Sequence, residues 1–204
     1  MIRIWGRANS VNVQKVLWCC DELGVAFERI DAGGEFGVVN DPAYRKLNPN
    51  GLVPAIEDAG FVLWESNAIV RYLAAKHSKL WPQDPARRAD ADRWMDWQLG
   101  ALWPALRPLF WGLVRTPPEK RDLNAIEAAR LQSAELFQIL DGALAGSEFA
   151  AGAEFSVGDI ALGVAAQRWM ALPIERPSLP SLEAWYFRLC QRPAFQKNVL
   201  FPLS

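Results

Sequence analysis

Asn48-Pro49-Asn50-Gly51-Leu52-Val53-Pro54-Ala55-Ile56-Glu57-Asp58-Ala59-Gly60-Phe61-Val62-Leu63-Trp64-Glu65-Ser66-Asn67-Ala68-Ile69-Val70 holds two short apolar runs between three turn or cap signals. Asn-Pro-Asn-Gly is a turn by its chemistry, since Pro49 presets φ and Gly51 accepts a positive one. Residues 52–56 and 61–64 are the apolar runs, and Asp58-Ala59-Gly60 between them predicts a β-hairpin with a three-residue loop. Pro54 removes a ladder donor where a strand begins, so it belongs at an edge. A cis Val53–Pro54 bond would turn the Val53 amide and carbonyl outward, where an extended peptide can pair with them. Glu65-Ser66 then opens a helical pattern with Ile69, Tyr72 and Leu73 on its apolar face. The start of that helix suits a carboxylate, Ser66 adds a hydroxyl donor, and Glu65 can hold an ammonium. On residue types alone, an ordinary hairpin and helix is the better reading. The order Val-Pro, hairpin, Glu-Ser, helix is also compatible with a ligand that is peptide-like at one end and carries an amino-acid head at the other.

Towards the N-terminus, Ile2 and Ile4 alternate with Arg3 and Trp5 as a short strand. Residues 12–23 then place Val13, Val16, Leu17, Cys20 and Leu23 on one helical face, closed by Gly24. Residues 26–31 read as a second strand, so the chain starts as a βαβ unit with a right-handed crossover. Residues 32–47 read as loop with a short helix near Pro42. The order βαβ, α, ββα predicts an α+β, thioredoxin-like domain with a four-stranded mixed sheet over residues 1–78.

Residues 79–85 read as a linker, because this stretch holds two prolines within a few residues and no periodicity. From 86 to 204 the pattern is helical throughout and predicts an all-α second domain. Residues 86–114 contain Pro104 and Pro108, which must kink or break the helix. A new helix is expected from Glu119 to Leu144. Ser156 with Asp159 three positions on is a capping-box signal for the next one. Residues 180–191 form the last long helix, and a short one follows Arg192.

Composition narrows the function. The chain has 204 residues, 51% of them hydrophobic, enough for a sizeable core without disulfides. A net charge of −1 gives no footprint for nucleic acid or an anionic membrane. Three cysteines, Cys19, Cys20 and Cys190, make a poor disulfide framework, and the single histidine leaves no metal-ligand spacing. With no leader pattern and no membrane-spanning run, a cytoplasmic protein is expected. Cys19 and Cys20 read as structural. The ten tryptophans, most of them before residue 112, fill a core or line a greasy pocket.

Together these parts resemble the soluble glutathione S-transferases over the whole chain. The motifs that carry the resemblance are residues 10–16, 48–74 and 155–162. Ser10-Val11-Asn12-Val13-Gln14-Lys15-Val16 matches the serine-type members, closest to phi- and theta-like wording, with a basic residue five positions after the serine. The resemblance implies glutathione as co-substrate, no metal, a homodimer, and conjugation of the glutathione thiolate to a small apolar electrophile. It implies a glutathione site at Leu52, Val53, Pro54, Glu65 and Ser66. Leu52 stands where many relatives have Gln or Lys, and Val39-Asn40-Asp41 where many have Lys or His. Arg45 and Lys46 are the substitutes at hand for the glycyl carboxylate. Two other readings share the site: a glutathione-dependent dehalogenase, lyase or peroxidase, and a binding protein of the same fold without turnover.

The chemistry such a site needs is a thiolate, because the neutral thiol is a poor nucleophile. A free thiol has a pKa near about 8.5, and lowering it by about two units takes roughly 3 kcal/mol. A hydroxyl donating to the thiolate supplies roughly 1.5–3 kcal/mol. The helix N-terminus behind it adds up to about 2 kcal/mol. Ser10 is the first candidate donor and Asn12 the second; for both, capping the helix is the commoner role. The acceptor pocket is expected between residues 6–12 and 86–114, walled by Trp103, Leu106, Phe110 and Trp111. Filling of the interdomain core is at least as good an account of those four.

Overall fold

A computed structural model describes all 204 residues. The first half is built from β1 (Ile2–Trp5), α1 (Val11–Leu23), β2 (Phe27–Ile30), α2 (Pro42–Leu47), β3 (Ala55–Asp58), β4 (Phe61–Trp64) and α3 (Ser66–His77). The sheet order is β2-β1-β3-β4. β1 runs parallel to β2, with Ile2 opposite Phe27, and antiparallel to β3, with Ile4 opposite Ile56. This is the mixed, thioredoxin-like sheet expected from the order of the elements. Asp58 and Phe61 close the hairpin, with Ala59 and Gly60 both at positive φ. The Val53–Pro54 bond is cis.

The second half is helical: α4 (Pro85–Trp97), α5 (Trp103–Phe110), α6 (Leu123–Leu144), α7 (Val157–Ala171), α8 (Pro180–Cys190) and α9 (Pro193–Asn198). Of the kink or break expected at Pro104 and Pro108, the break does not occur, and the irregularity takes the form of two π turns. α4 runs into α5 through a π turn over Gln98–Leu102, and a second π turn, Trp111–Arg115, follows α5. In the first, the Trp103 amide reaches back to the Gln98 carbonyl, five residues earlier. The wider turn absorbs the donor that Pro104 lacks, so the helical path continues. α6 starts four residues later than expected because Asp122 is its cap, its side chain accepting from the Ala125 amide at 3.0 Å. No helix is long and apolar enough to cross a membrane.

One apolar core joins the two halves. Trp18 on α1 is fully buried, its ring 4.7 Å from that of Phe195 on α9 and 5.4 Å from that of Phe155. Gly163 makes room for it: a Cβ there would lie 2.9 Å from both the Trp18 ring and Leu189. Beneath, Asp159 opens α7. Its carboxylate accepts from the Ser156 amide at 2.9 Å, the Ser156 hydroxyl at 3.0 Å, the Ala150 amide at 2.8 Å and Trp185 Nε1 at 2.8 Å. Four donors offset the cost of burying that charge, although burial still pulls its carboxyl upward. The expected Ser156–Asp159 pair is therefore also an anchor for α8.

Candidate active site

β1 ends where the first half faces the second, and the loop after it carries Arg7, Asn9 and Ser10 to the seam. Ser10 precedes α1 with extended backbone (φ −78°, ψ 125°), the shape of an N-cap, but its hydroxyl caps nothing. It has no hydrogen-bond partner in the chain, and it lies on the wall of a cavity of about 290 Å³. The commoner role for such a serine is thus not the one taken here. Asn12 lines the same cavity. Its side-chain oxygen accepts from the Ser66 hydroxyl at 3.2 Å, tying the start of α1 to the start of α3 and leaving the Asn12 amide group unengaged.

Val53 borders the cavity from the hairpin side, and its amide and carbonyl are engaged by no other group of the chain. The Leu52 carbonyl is held from behind by Tyr44 Oη at 2.6 Å and Asn48 Nδ2 at 2.8 Å, while its side chain is 63% exposed. Pro54 is buried and lines nothing. Glu65 and Ser66 sit outside the cavity, joined to it through Asn12. Glu65 is exposed and holds φ 71°, ψ 109°, a sparsely populated backbone region for a residue with a Cβ. Such a conformation costs about 1–3 kcal/mol and is characteristic of ligand-binding positions; nothing in the sequence flagged it. Arg45 is already committed, its guanidinium donating to the Pro49 carbonyl at 2.6 Å and to Asn40 at 2.8 Å.

On the helical side Trp103, Phe110 and Trp111 of the four named residues line the cavity, and Leu106 does not. Leu106 is fully buried in the core, because the unbroken α5 turns that face inward. The wall is also not simply greasy. Arg7, Arg107, Arg115 and Arg168 line it as well, and the Arg107 and Arg115 guanidiniums lie 5.0 and 5.3 Å from the centre of the Trp111 ring. The four arginines come from four separate elements, so no local motif announces them. The one available signal was Arg168, a cation at the end of an otherwise apolar run in α7.

Lys15, the basic residue that completes the serine motif, does not reach the cavity. It is buried in the seam, donating to Asn67 Oδ1 at 3.1 Å and Gln98 Oε1 at 2.8 Å. Nor does any of the three cysteines line the cavity. Cys19 and Cys20 are buried, and burial pushes the Cys20 thiol up to about 12, with Asp21 and Asp58 adding to it.

Residues 9–76 match the family model for the glutathione S-transferase N-terminal domain, and residues 102–193 the one for the C-terminal domain. Glutathione S-transferase GstB of Escherichia coli K12 is 47% identical over the full length of both chains. Glutathione S-transferase 3 of Zea mays is 30% identical, the match covering 97% of this chain and 93% of that one. Among solved structures, the theta class glutathione S-transferase of Xanthomonas axonopodis pv. citri with glutathione bound superposes with a TM-score of 0.97 at 54% identity, covering 100% of this chain and 99% of that one. A cavity at the seam, a free serine hydroxyl at the head of α1, an open hairpin edge beside it and these full-length likenesses agree: the chain belongs to the glutathione S-transferase family of transferases.

Proposed function

We propose that the protein binds glutathione along the Val53 edge and transfers its sulfur to an electrophilic carbon held in the cavity, with the Ser10 hydroxyl stabilising the thiolate. The observation that carries this reading is the Ser10 hydroxyl itself, which faces the cavity and is committed to no group of the chain. The amino-acid head of glutathione lies at Glu65 and Ser66, where the first amides of α3 and the Ser66 hydroxyl meet its carboxylate and Glu65 meets its ammonium. The cysteinyl part pairs with the Val53 amide and carbonyl in the manner of an added strand. That pairing aims the sulfur at Ser10, Asn12 and the head of α1.

Three effects then favour the thiolate. The hydroxyl donates a charge-assisted hydrogen bond, the helix N-terminus adds positive potential, and the arginines of the cavity add more. No general base is required, since the proton leaves to solvent as the thiolate forms. Trp103, Phe110 and Trp111 hold the apolar part of the acceptor. The same reading takes the protein as a cytoplasmic two-fold dimer, whose mass sedimentation equilibrium measures.

Ser10→Ala tests the mechanism. Glutathione binding should persist, the pKa of the bound thiol should rise, and conjugation at neutral pH should slow by about ten- to a hundredfold for a lost bond of about 1.5–3 kcal/mol. The deficit should shrink in alkaline buffer, where solvent supplies thiolate unaided. Titrating the thiolate absorbance of the glutathione complex reads the shift directly. An unchanged thiol pKa removes Ser10 from the mechanism, and a shift in Asn12→Ala instead would transfer the role to Asn12.

A further inference from the structure

The thirteen residues lining the cavity include four arginines and no carboxylate. Arg7 comes from the loop after β1, Arg107 from α5, Arg115 from the second π turn and Arg168 from α7. None of the four forms an ion pair with a side-chain carboxylate. Of the twelve other arginines half form such pairs, among them Arg3 with Glu57, Arg71 with Asp92 and Asp96, and Arg192 with Glu22.

Arg168 lies deepest, 4% exposed. It donates to the Val164 carbonyl at 3.2 Å and the Asn9 carbonyl at 3.4 Å, while its Nε is sealed from water and donates to nothing. Arg7 repeats the pattern, with Nη1 on Asn9 Oδ1 at 2.7 Å and a sealed Nε that has no acceptor. Arg115 reaches the main-chain oxygen of Ser204 at 3.0 Å. Burying a guanidinium without a counter-ion is costly. The cost shows in Arg168, which burial first, then Arg115 and Arg7, pull down to about 10. A packing role does not account for this, since an apolar side chain of similar length would fill the place without the penalty. Cations converging on a small aromatic cavity are the arrangement that recognises an anion attached to an apolar body.

We propose that the acceptor carries that anion: the cavity takes substrates in which a carboxylate, sulfonate or phosphate sits beside an apolar electrophilic carbon, with Arg168 as the buried anchor for the anionic group. This rests on the transferase reading above and replaces the purely apolar electrophile expected from the family. For a chloroarene carboxylate the step balances simply. The glutathione sulfur bonds the ring carbon, the carbon–chlorine bond breaks, and chloride leaves with the bonding pair. The carboxylate keeps its charge throughout and serves only to hold the ring.

Binding is read first, without turnover. Nitrobenzoate and methyl nitrobenzoate are titrated into the glutathione-saturated protein and followed by quenching of tryptophan fluorescence. The acid should bind at least about tenfold more tightly than the ester, as charge-assisted hydrogen bonds require, and added salt should erode the preference. Chloronitrobenzoate and its methyl ester then give the ratio of the two kcat/KM values. Arg168→Met and Arg107→Met should each lower the acid-to-ester ratio by about tenfold. Arg107 is exposed, so its variant decides the matter even where Arg168→Met does not fold. Equal binding of acid and ester, or a ratio unmoved in the folded variants, overturns the proposal. So does a raised KM for glutathione with the ratio intact, which assigns these cations to glutathione itself. Preferential binding of the acid with no turnover of either chloroarene supports the anion site and defeats the transferase reading instead.

Discussion

Replacing Lys15 by methionine removes one cation from the seam between the two halves. Lys15 is 1% exposed, and its two partners, Asn67 and Gln98, are both uncharged. Burial lowers its pKa from 10.5 to about 7, against a smaller upward pull from Glu65. The unfolded chain keeps this proton to high pH and the folded chain releases it near neutrality. In between, the unfolded state binds more protons, so stability rises with pH. Integrated from about pH 6 to about pH 8.5, the difference is about 2 kcal/mol in favour of the wild type. The cysteine thiols of the unfolded chain begin to ionise toward the upper end, but both proteins carry them and they cancel in the difference. Lys15→Met lacks the titrating group and should lack this contribution, whatever constant offset the lost hydrogen bonds introduce. Urea unfolding at fixed protein concentration, followed by tryptophan fluorescence, gives both proteins' stabilities across the window. The variant should lose ground to the wild type by about 2 kcal/mol between the two ends. A difference independent of pH would refute the reasoning: the folded chain would then keep the proton, and the two amide oxygens would outweigh the cost of burial.

Asp159→Ala leaves four donors without their acceptor and should destabilise by about 3 kcal/mol or more, read as a lowered Tm. Gly163→Ala forces a methyl against Trp18 and Leu189 and should cost about 1–3 kcal/mol in urea unfolding, with glutathione affinity little changed. Glu65→Ala and Ser66→Ala should each weaken glutathione binding in calorimetry while the fold persists. Unchanged affinity in both would place the head group elsewhere.

The sheet was legible because its hairpin is written locally. Residues 55–64 carry their own turn, and a strand-helix-strand order leaves little freedom in how β1 and β2 pair. Ser10 was legible for a similar reason, standing at a fixed place before a strongly periodic helix. Lys15 marked that motif correctly but performs a different task, since sequence spacing gives its helical position and not the polar groups that α3 and the Gln98–Leu102 turn bring to it. Leu106 lies in the core and not on the cavity wall because the helical path continues through the prolines, a continuity that the sequence does not announce. The cationic lining was hard to see for a physical reason: its four members lie in four elements spread over 162 positions from Arg7 to Arg168, and only Arg168 stands out among its neighbours. Only packing reveals that none of them meets a side-chain carboxylate.

Trp18 finds Gly163, Phe155 and Phe195 only near the end of the chain. During synthesis at roughly 5–20 residues per second, α1 therefore waits on the order of ten seconds for the helices that cover it. The early sheet can form in that interval, but α1 presents to the cell an indole that the finished protein hides. For that time the nascent first half is a client for chaperones and a nucleus for aggregation. Residues that speed the arrival of α7 and α9 on α1 govern the yield of folded protein more than its final stability.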